Sequence, residues 1–225
     1  MKKIYRYLLC LSVAVFAFQS IYSQPAFYAD ILKFKKQDSI SFPPKNAIVL
    51  VGSSSFTKWL DVQSYFPEYK IINRGFGGST LPDVIRYAND IIIPYRPKQV
   101  IIYCGDNDLA SSDTITPQIV TNRFKTLFHV IRTNLPKVNI AFVSIKPSPS
   151  RKQLMPQMKQ TNVMIKSFLK KQKNTSFIDV FHPMLLAGEK PKPEIFLEDS
   201  LHMNAKGYAI WKKAIQPHLK KNRIR

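Results

Sequence analysis

Two stretches far apart in the chain hold the residue types of acyl-transfer chemistry. "GSSS" at residues 52–55 places three hydroxyls after a glycine at the end of an apolar run. "LEDSLHMNAKGY" places Asp199 three residues before His202, immediately ahead of a helical pattern. A serine hydroxyl is a weak nucleophile until an imidazole takes its proton, and the imidazole works best when a carboxylate fixes its tautomer and stabilises the imidazolium. Within one turn, the D-x-x-H spacing lets the carboxylate lie beside the ring. The same spacing recurs in Asp179-Val-Phe-His182, which runs out of a strand into Pro183. There, strand alternation is expected to turn the two side chains to opposite faces. Spacing alone leaves both pairs open.

The serines carry a second meaning. A serine just past a strand can cap the helical pattern at 56–61, and a different serine can react at the same turn. A backbone N–H at that helix start would favour a developing oxyanion. The closing glycine of a G-x-S-x-G elbow is missing, so the common lipase turn is not supported.

An oxyanion needs further donors. "NRGFGGST" (73–80) has three glycines in four residues, which suits a tight strand-to-helix turn whose bare backbone approaches a ligand, with Gly78 offering its N–H. The G-x-G-G spacing follows the second strand and does not fit a dinucleotide fingerprint. "YCGDNDLA" offers the side-chain amide of Asn107, well suited to an oxygen that becomes negative. Asp106 and Asp108 lack a partner cluster, so a metal site is not supported, and a capped turn accounts for them.

These segments need elements to position them. Apolar runs at 47–52, 70–75, 99–105, 139–145 and 176–180 are nearly continuous, as expected of parallel strands buried on both faces. Helical patterns alternate with them. Phe27, Ile31 and Phe34 share a face ahead of the first run; Val120, Phe124, Leu127, Phe128 and Ile131 form a stripe in 116–134. A less regular helix is expected over about 152–171, and Tyr208, Trp211, Ile215 and Leu219 mark a last one. The alternation predicts a three-layer α/β/α domain with a parallel sheet. In such sheets ligands sit beyond the carboxyl ends of the strands, where "GSSS", "NRGFGGS", "CGDND" and "KPSPS" all fall. Trp59, Tyr103 and Phe196 are candidates to line an acceptor site there, although single aromatics are more often core.

The N-terminus reads differently. Lys2, Lys3 and Arg6 precede an apolar stretch from Leu8 to Phe18 and then a polar turn, the layout of a secretory leader cleaved between Ser23 and Gln24. The run is too short to span a bilayer. Residues 1–23 are thus expected to be a signal peptide and 24–225 a single domain, exported to the periplasm or beyond with no stable membrane anchor. Removal of the leader takes Cys10, leaving Cys104 as a small core residue and no intramolecular disulfide. The formal net charge of +20 falls to about +17. No Asp or Glu lies between Asp113 and Asp179, and none follows Asp199. Such a surface attracts polyanions, but solvated helix faces account for it, with "RKQLMPQMKQ" and "KKNRIR" read as exposed helix surface and tail. No nucleic-acid motif accompanies the charge, so no nucleic-acid partner is expected.

Four blocks in order, "VGSSSFTKW", "NRGFGGST", "IIYCGDNDL" and "LEDSLHMNAKGY", resemble the SGNH hydrolases, also called GDSL-type esterases and lipases. The branch is similar to platelet-activating-factor acetylhydrolase subunits and bacterial carbohydrate esterases, and the similarity runs from about Phe27 to Leu219. The resemblance implies a flavodoxin-like fold with a five-stranded parallel sheet. It also implies Ser54 as nucleophile, His202 and Asp199 as base and acid rather than the Asp179 pair, and an oxyanion hole of the Ser54 and Gly78 N–H groups with the Asn107 side chain. No metal or organic cofactor is implied. Two departures stand out: Gly-Ser-Ser in place of Gly-Asp-Ser, and "GGST" where many relatives have "GGDT". The expected activity is hydrolysis of short acyl esters, first on glycans, with lipid esters as the alternative. A catalytically silent glycan-binding protein on the same fold is the rival from another class.

Overall fold

The computed structural model describes residues 24–221; the expected leader, residues 1–23, lies outside them. Five parallel strands, β1 (Ile48–Gly52), β2 (Ile71–Gly75), β3 (Gln99–Tyr103), β4 (Asn139–Val143) and β5 (Thr175–Ile178), form one sheet in the order β2-β1-β3-β4-β5. The helices are α1 (Tyr28–Ile40), α2 (Ser54–Thr57), α3 (Val62–Tyr65), α4 (Leu81–Arg86), α5 (Ala88–Ile91), α6 (Asp106–Ala110), α7 (Pro117–Asn134), α8 (Met155–Lys170) and α9 (Ala205–Ile215). Each strand begins within a residue of where its apolar run predicts. The middle helix starts later than its pattern suggests, because Pro149–Leu154 forms a separate 3-10 segment.

The continuous apolar runs work because alternate residues serve two cores. Val49, Val51, Val100, Ile102, Ile140 and Phe142 pack with Phe124, Leu127, Ile165 and Ile31 on one face. Ile48, Leu50, Ile101, Tyr103, Ala141 and Val143 pack with Phe56, Trp59, Trp211 and Ile215 on the other. This is the three-layer α/β/α architecture that the strand and helix alternation predicts. Trp59, Tyr103 and Phe196 belong to the second core, 0%, 0% and 7% exposed, and do not line an acceptor site. Trp59 stacks on Tyr208 at 4.8 Å, and edge contacts link it to Phe66 and Trp211. Cys104 is buried, its thiol 3.6 Å from the Ser79 carbonyl, and burial pushes its pKa well up. Phe34 and Tyr95 flank the Arg74 guanidinium, which pairs with Asp38 and so ties α1 to β2.

The order 2-1-3 puts the reversal of winding between β1 and β3, where the crevice beyond the strand ends opens. Gly52 ends β1 at φ 133°, and a Cβ there would lie 1.9 Å from the Tyr103 carbonyl oxygen. No side chain fits, so the tips of β1 and β3 can touch only through glycine. The Ser53 N–H donates to that same carbonyl at 3.0 Å. The serine turn and the Asn107 turn are therefore held against each other by main chain.

Candidate active site

The turn after β1 separates the three serines by role. Ser53 is fully buried and caps α2, its Oγ accepting the Ser54 N–H at 2.6 Å. Ser55 is buried, and its carbonyl accepts the Tyr208 hydroxyl at 2.9 Å, which fastens α9 to this turn. Ser54 is half-buried and presents its hydroxyl outward. Helix α2 has only four residues, so whatever it offers an anion comes from single N–H groups rather than from a summed dipole.

The Ser54 Oγ lies 2.9 Å from His202 Nε2, across 148 residues of sequence. On the other side of the ring, Nδ1 lies 2.5 Å from Asp199 Oδ2. Asp199 Oδ1 accepts the N–H groups of Leu201 and His202 at 2.9 and 2.8 Å, so one carboxylate shapes the loop and orients the ring. Desolvation raises the Asp199 pKa, but the hydrogen bonds from the His202 ring and from the two amides overbalance it. The carboxyl is held well below the usual carboxylate range. Asn204 then caps α9, accepting the N–H groups of Lys206 and Gly207, while its own amide donates to the Glu194 and Phe196 carbonyls. That cap fixes where the histidine loop meets the helix.

The Asp179 pair corrects the expectation from strand alternation. His202's counterpart His182 has Nδ1 2.6 Å from Asp179 Oδ2, and Asp179 Oδ1 accepts the N–H groups of Phe181 and His182. Strand β5 stops at Ile178, and Phe181 turns into the helical region at φ −65°, so alternation no longer applies. Both D-x-x-H segments are the same side-chain-to-backbone turn. They differ in surroundings: the His182 side chain is 72% exposed with no hydroxyl partner among the described residues, whereas His202 is 17% exposed and faces Ser54.

The glycine loop lies against the serine turn. A Cβ on Gly77 would sit 3.9 Å from Ser54 Cβ. Gly78 adopts φ 85°, lies beside the Phe27 ring, and its N–H has no acceptor among the described residues. From the third tip, Asn107 Nδ2 donates to Ser53 Oγ at 2.9 Å and to the Ser79 carbonyl at 3.1 Å. The Ser54 N–H and the Asn107 amide thus converge on one oxygen, the Ser53 hydroxyl. Ser53 accepts from both without carrying charge, which explains how Gly-Ser-Ser can stand where relatives have Gly-Asp-Ser. Ser79 contributes its carbonyl, so the change to "GGST" leaves this hold on Asn107 intact.

The two aspartates beside Asn107 act as struts. Asp108 is fully buried; its oxygens accept the Leu81 N–H at 2.9 Å and the Arg123 guanidinium at 2.8 Å, joining the start of α4 to the β3 tip. Burial raises its pKa, and Arg123 pulls the other way. Asp106 pairs with Arg151 at 3.0 Å.

Arg151 and Lys146 are the residues that sequence reading missed. Arg151, read as exposed helix surface, instead breaks the 3-10 segment at φ −120°, ψ 28° and turns inward. One guanidinium nitrogen donates to Asp106 and the other to Asn107 Oδ1, each at 3.0 Å. Lys146 is buried; its ammonium donates to the Leu201 carbonyl at 2.7 Å and sits over the Phe196 ring. Burial lowers its pKa to about 8, with Asp106 opposing the shift. The Ser150 N–H donates to the Ser200 carbonyl at 3.1 Å. Segment 146–151 therefore grips both the histidine loop and the Asn107 amide. "KPSPS" stands at a strand end, which is the one signal that could have drawn attention to it.

A model of the GDSL-like lipase/acylhydrolase family matches residues 38–210. Among curated proteins none matches. The chain is similar to the crystal structure of a GDSL-like lipase from Bacteroides thetaiotaomicron, with 19% identity, TM-score 0.73, and 84% of this chain and 97% of that one covered. It is similar to a lipase/acylhydrolase from Enterococcus faecalis at 21% identity and TM-score 0.62, covering 79% and 99%. A variant of an acetyl xylan esterase from Geobacillus stearothermophilus gives 16% identity and TM-score 0.62, covering 81% and 99%. At these identities the structures speak to the fold, and the family match speaks to the chemistry: the chain belongs to the GDSL-like lipase/acylhydrolase family and is a carboxylic ester hydrolase.

Proposed function

We propose that the protein cleaves short-chain acyl esters on glycans through a Ser54–His202–Asp199 triad. The observation that carries this reading is the hydrogen-bonded relay from Ser54 Oγ through both nitrogens of His202 to Asp199. His202 Nε2 takes the Ser54 proton as Oγ attacks the ester carbonyl, and Asp199 stabilises the imidazolium that forms. The oxyanion is held by the Ser54 and Gly78 N–H groups and by Asn107 Nδ2. Two of these donors now point at the Ser53 hydroxyl. An alkoxide competes well for the same protons, because charge-assisted hydrogen bonds are roughly twice as strong as neutral ones. His202 then protonates the leaving alcohol, and water cleaves the acyl-enzyme by the same route.

The Phe27 ring, packed edge-on against Phe76 at 5.3 Å, walls the Gly78 side and favours a small acyl group. The acetyl xylan esterase among the structural relatives supports a glycan acceptor. Export with cleavage at Ser23/Gln24 fits such a substrate; among the described residues no helix is long and apolar enough to cross a membrane.

Ser54→Ala is expected to remove nearly all turnover of p-nitrophenyl acetate while the circular dichroism spectrum is unchanged. A fluorophosphonate probe should label Ser54 and no other serine. Wild-type turnover in Ser54→Ala refutes the assignment of Ser54 as nucleophile, and an unlabelled Ser54 favours the silent binding protein. Acetylated oligosaccharides tested against acyl esters of increasing length separate the glycan reading from the lipid one.

A further inference from the structure

At the opposite pole of the sheet from Ser54, the loops that lead into all five strands enclose a cleft of about 1550 Å³. Cavity size does not mark the chemistry in this molecule, since the triad lies at the other end of the strands. A five-residue strand separates the poles by at least about 16 Å. The cleft is lined by Lys45, Lys70, Arg96, Lys137, Lys220 and Lys221, all exposed, with Lys98 half-buried between them and no carboxylate in the lining. Among the described residues, none of those six exposed cations forms an ion pair, whereas Arg74, Arg123 and Arg151 elsewhere each meet an aspartate. Like charges gathered around a concave, low-dielectric wall focus their field and concentrate anions.

The walls are built rather than incidental. Arg132 clips the rim, donating to the Pro136 and Val138 carbonyls at 2.8 Å each and to the Lys173 carbonyl at 3.0 Å. The buried Gln99 side chain holds the C-terminal strap: its amide donates to the His218 carbonyl and its oxygen accepts the Lys220 N–H, both at 2.9 Å. Lys98 N–H donates to the Ala47 carbonyl and Asn139 N–H to the Lys98 carbonyl. The cations therefore project from a cross-linked frame.

We propose that this cleft docks a linear acidic glycan, a chain with repeated carboxylates and free hydroxyls, and so holds the protein on polymer while the ester site works elsewhere on it. The lining chemistry selects among polyanions. No aromatic ring faces the cleft to stack bases, and lysines outnumber arginine, which counts against nucleic acid. The cations surround a concavity in which Val138 is buried and Leu135 half-buried, unlike a bilayer-binding face with its projecting apolar side chains. Asn46 and Asn174, in left-handed turns at the rim, offer amides to sugar hydroxyls. The inference does not depend on the catalytic reading.

The test is binding of polygalacturonate to the full chain by affinity electrophoresis and sedimentation. Wild type and Ser54→Ala should bind alike, with affinity falling about tenfold or more between 50 and 200 mM salt. Lys70→Gln/Arg96→Gln/Lys137→Gln should lose binding at least about tenfold at low salt while turning over p-nitrophenyl acetate like wild type. Lys33→Gln/Lys166→Gln/Lys213→Gln carries the same charge change on helix surfaces and should keep it. Should the first variant fail to fold, Lys220→Gln/Lys221→Gln on the strap replaces it. The proposal is overturned if wild type does not bind, if the cleft and helix variants weaken equally, or if duplex DNA or anionic vesicles outcompete the polyuronate at equal charge.

Discussion

The hold that Arg151 has on Asn107 makes a sharp prediction. Replacing Arg151 by Met keeps a long apolar stem and removes both guanidinium hydrogen bonds, each 3.0 Å long. Asp106 then loses its cation but keeps the Asn107 N–H at 3.0 Å. The pair is 18% and 6% exposed, so the stability loss should be about 2 kcal/mol, below the 3–5 kcal/mol of a fully buried broken pair. The catalytic loss has a ceiling: a whole oxyanion donor is worth about 3 kcal/mol, or a hundredfold in kcat. Ser53 Oγ and the Ser79 carbonyl still hold the amide from its other end. About half the ceiling, roughly tenfold in kcat with KM within about twofold, is therefore expected. The assay is a cycle of Arg151→Met and Asn107→Ala on p-nitrophenyl acetate. If Arg151 acts through the amide, its removal changes nothing further once Asn107 is alanine. Arg151→Lys should restore stability through Asp106 but not kcat, because an ammonium lacks the fork. An equal kcat loss in both backgrounds refutes the reasoning.

Other outcomes follow from neighbouring contacts. Lys146→Met removes the grip on the Leu201 carbonyl and should lower kcat while raising stability at neutral pH. A buried lysine with a pKa lowered to about 8 sheds its proton in the folded state before the unfolded one. Wild-type stability thus gains up to about 3 kcal/mol between about pH 8 and 10, a rise that urea titrations should not find in the methionine variant. Asp199 has the opposite sign, since its folded pKa is depressed. Its contribution is present above the unfolded carboxylate value and lost as pH falls through the folded one, so Asp199→Asn and wild type should converge in acid denaturation. Gly52→Ala should cost about 3 kcal/mol or more by chemical denaturation, because the strand tips must part to admit a methyl group.

The scaffold was legible because a doubly buried strand leaves a continuous apolar run, repeated five times between helical patterns. Ser54, Gly78 and Asn107 stood out as candidates because each follows the end of such a run. Asp199 and Asp179 were not separable by local reasoning, since both fold the same four-residue turn, and only the distant hydroxyl distinguishes them. Alternation misjudged the Asp179 pair by one residue of strand. Arg151 and Lys146 stayed hidden for another reason: a cation in a proline-rich loop looks solvated until the partners that bury it are known. The aromatic residues misled in the reverse direction, because Trp59 and Tyr103 sit next to the site in sequence yet face the core.

The sequence separation of 148 between Ser54 and His202 has a consequence for synthesis. Synthesis delivers the hydroxyl early and the imidazole only after every strand has emerged. With the proposed triad, a nascent or clipped chain that stops short of the final loop carries a harmless alcohol, and ester cleavage waits until the polypeptide has been made through His202 and has closed upon itself.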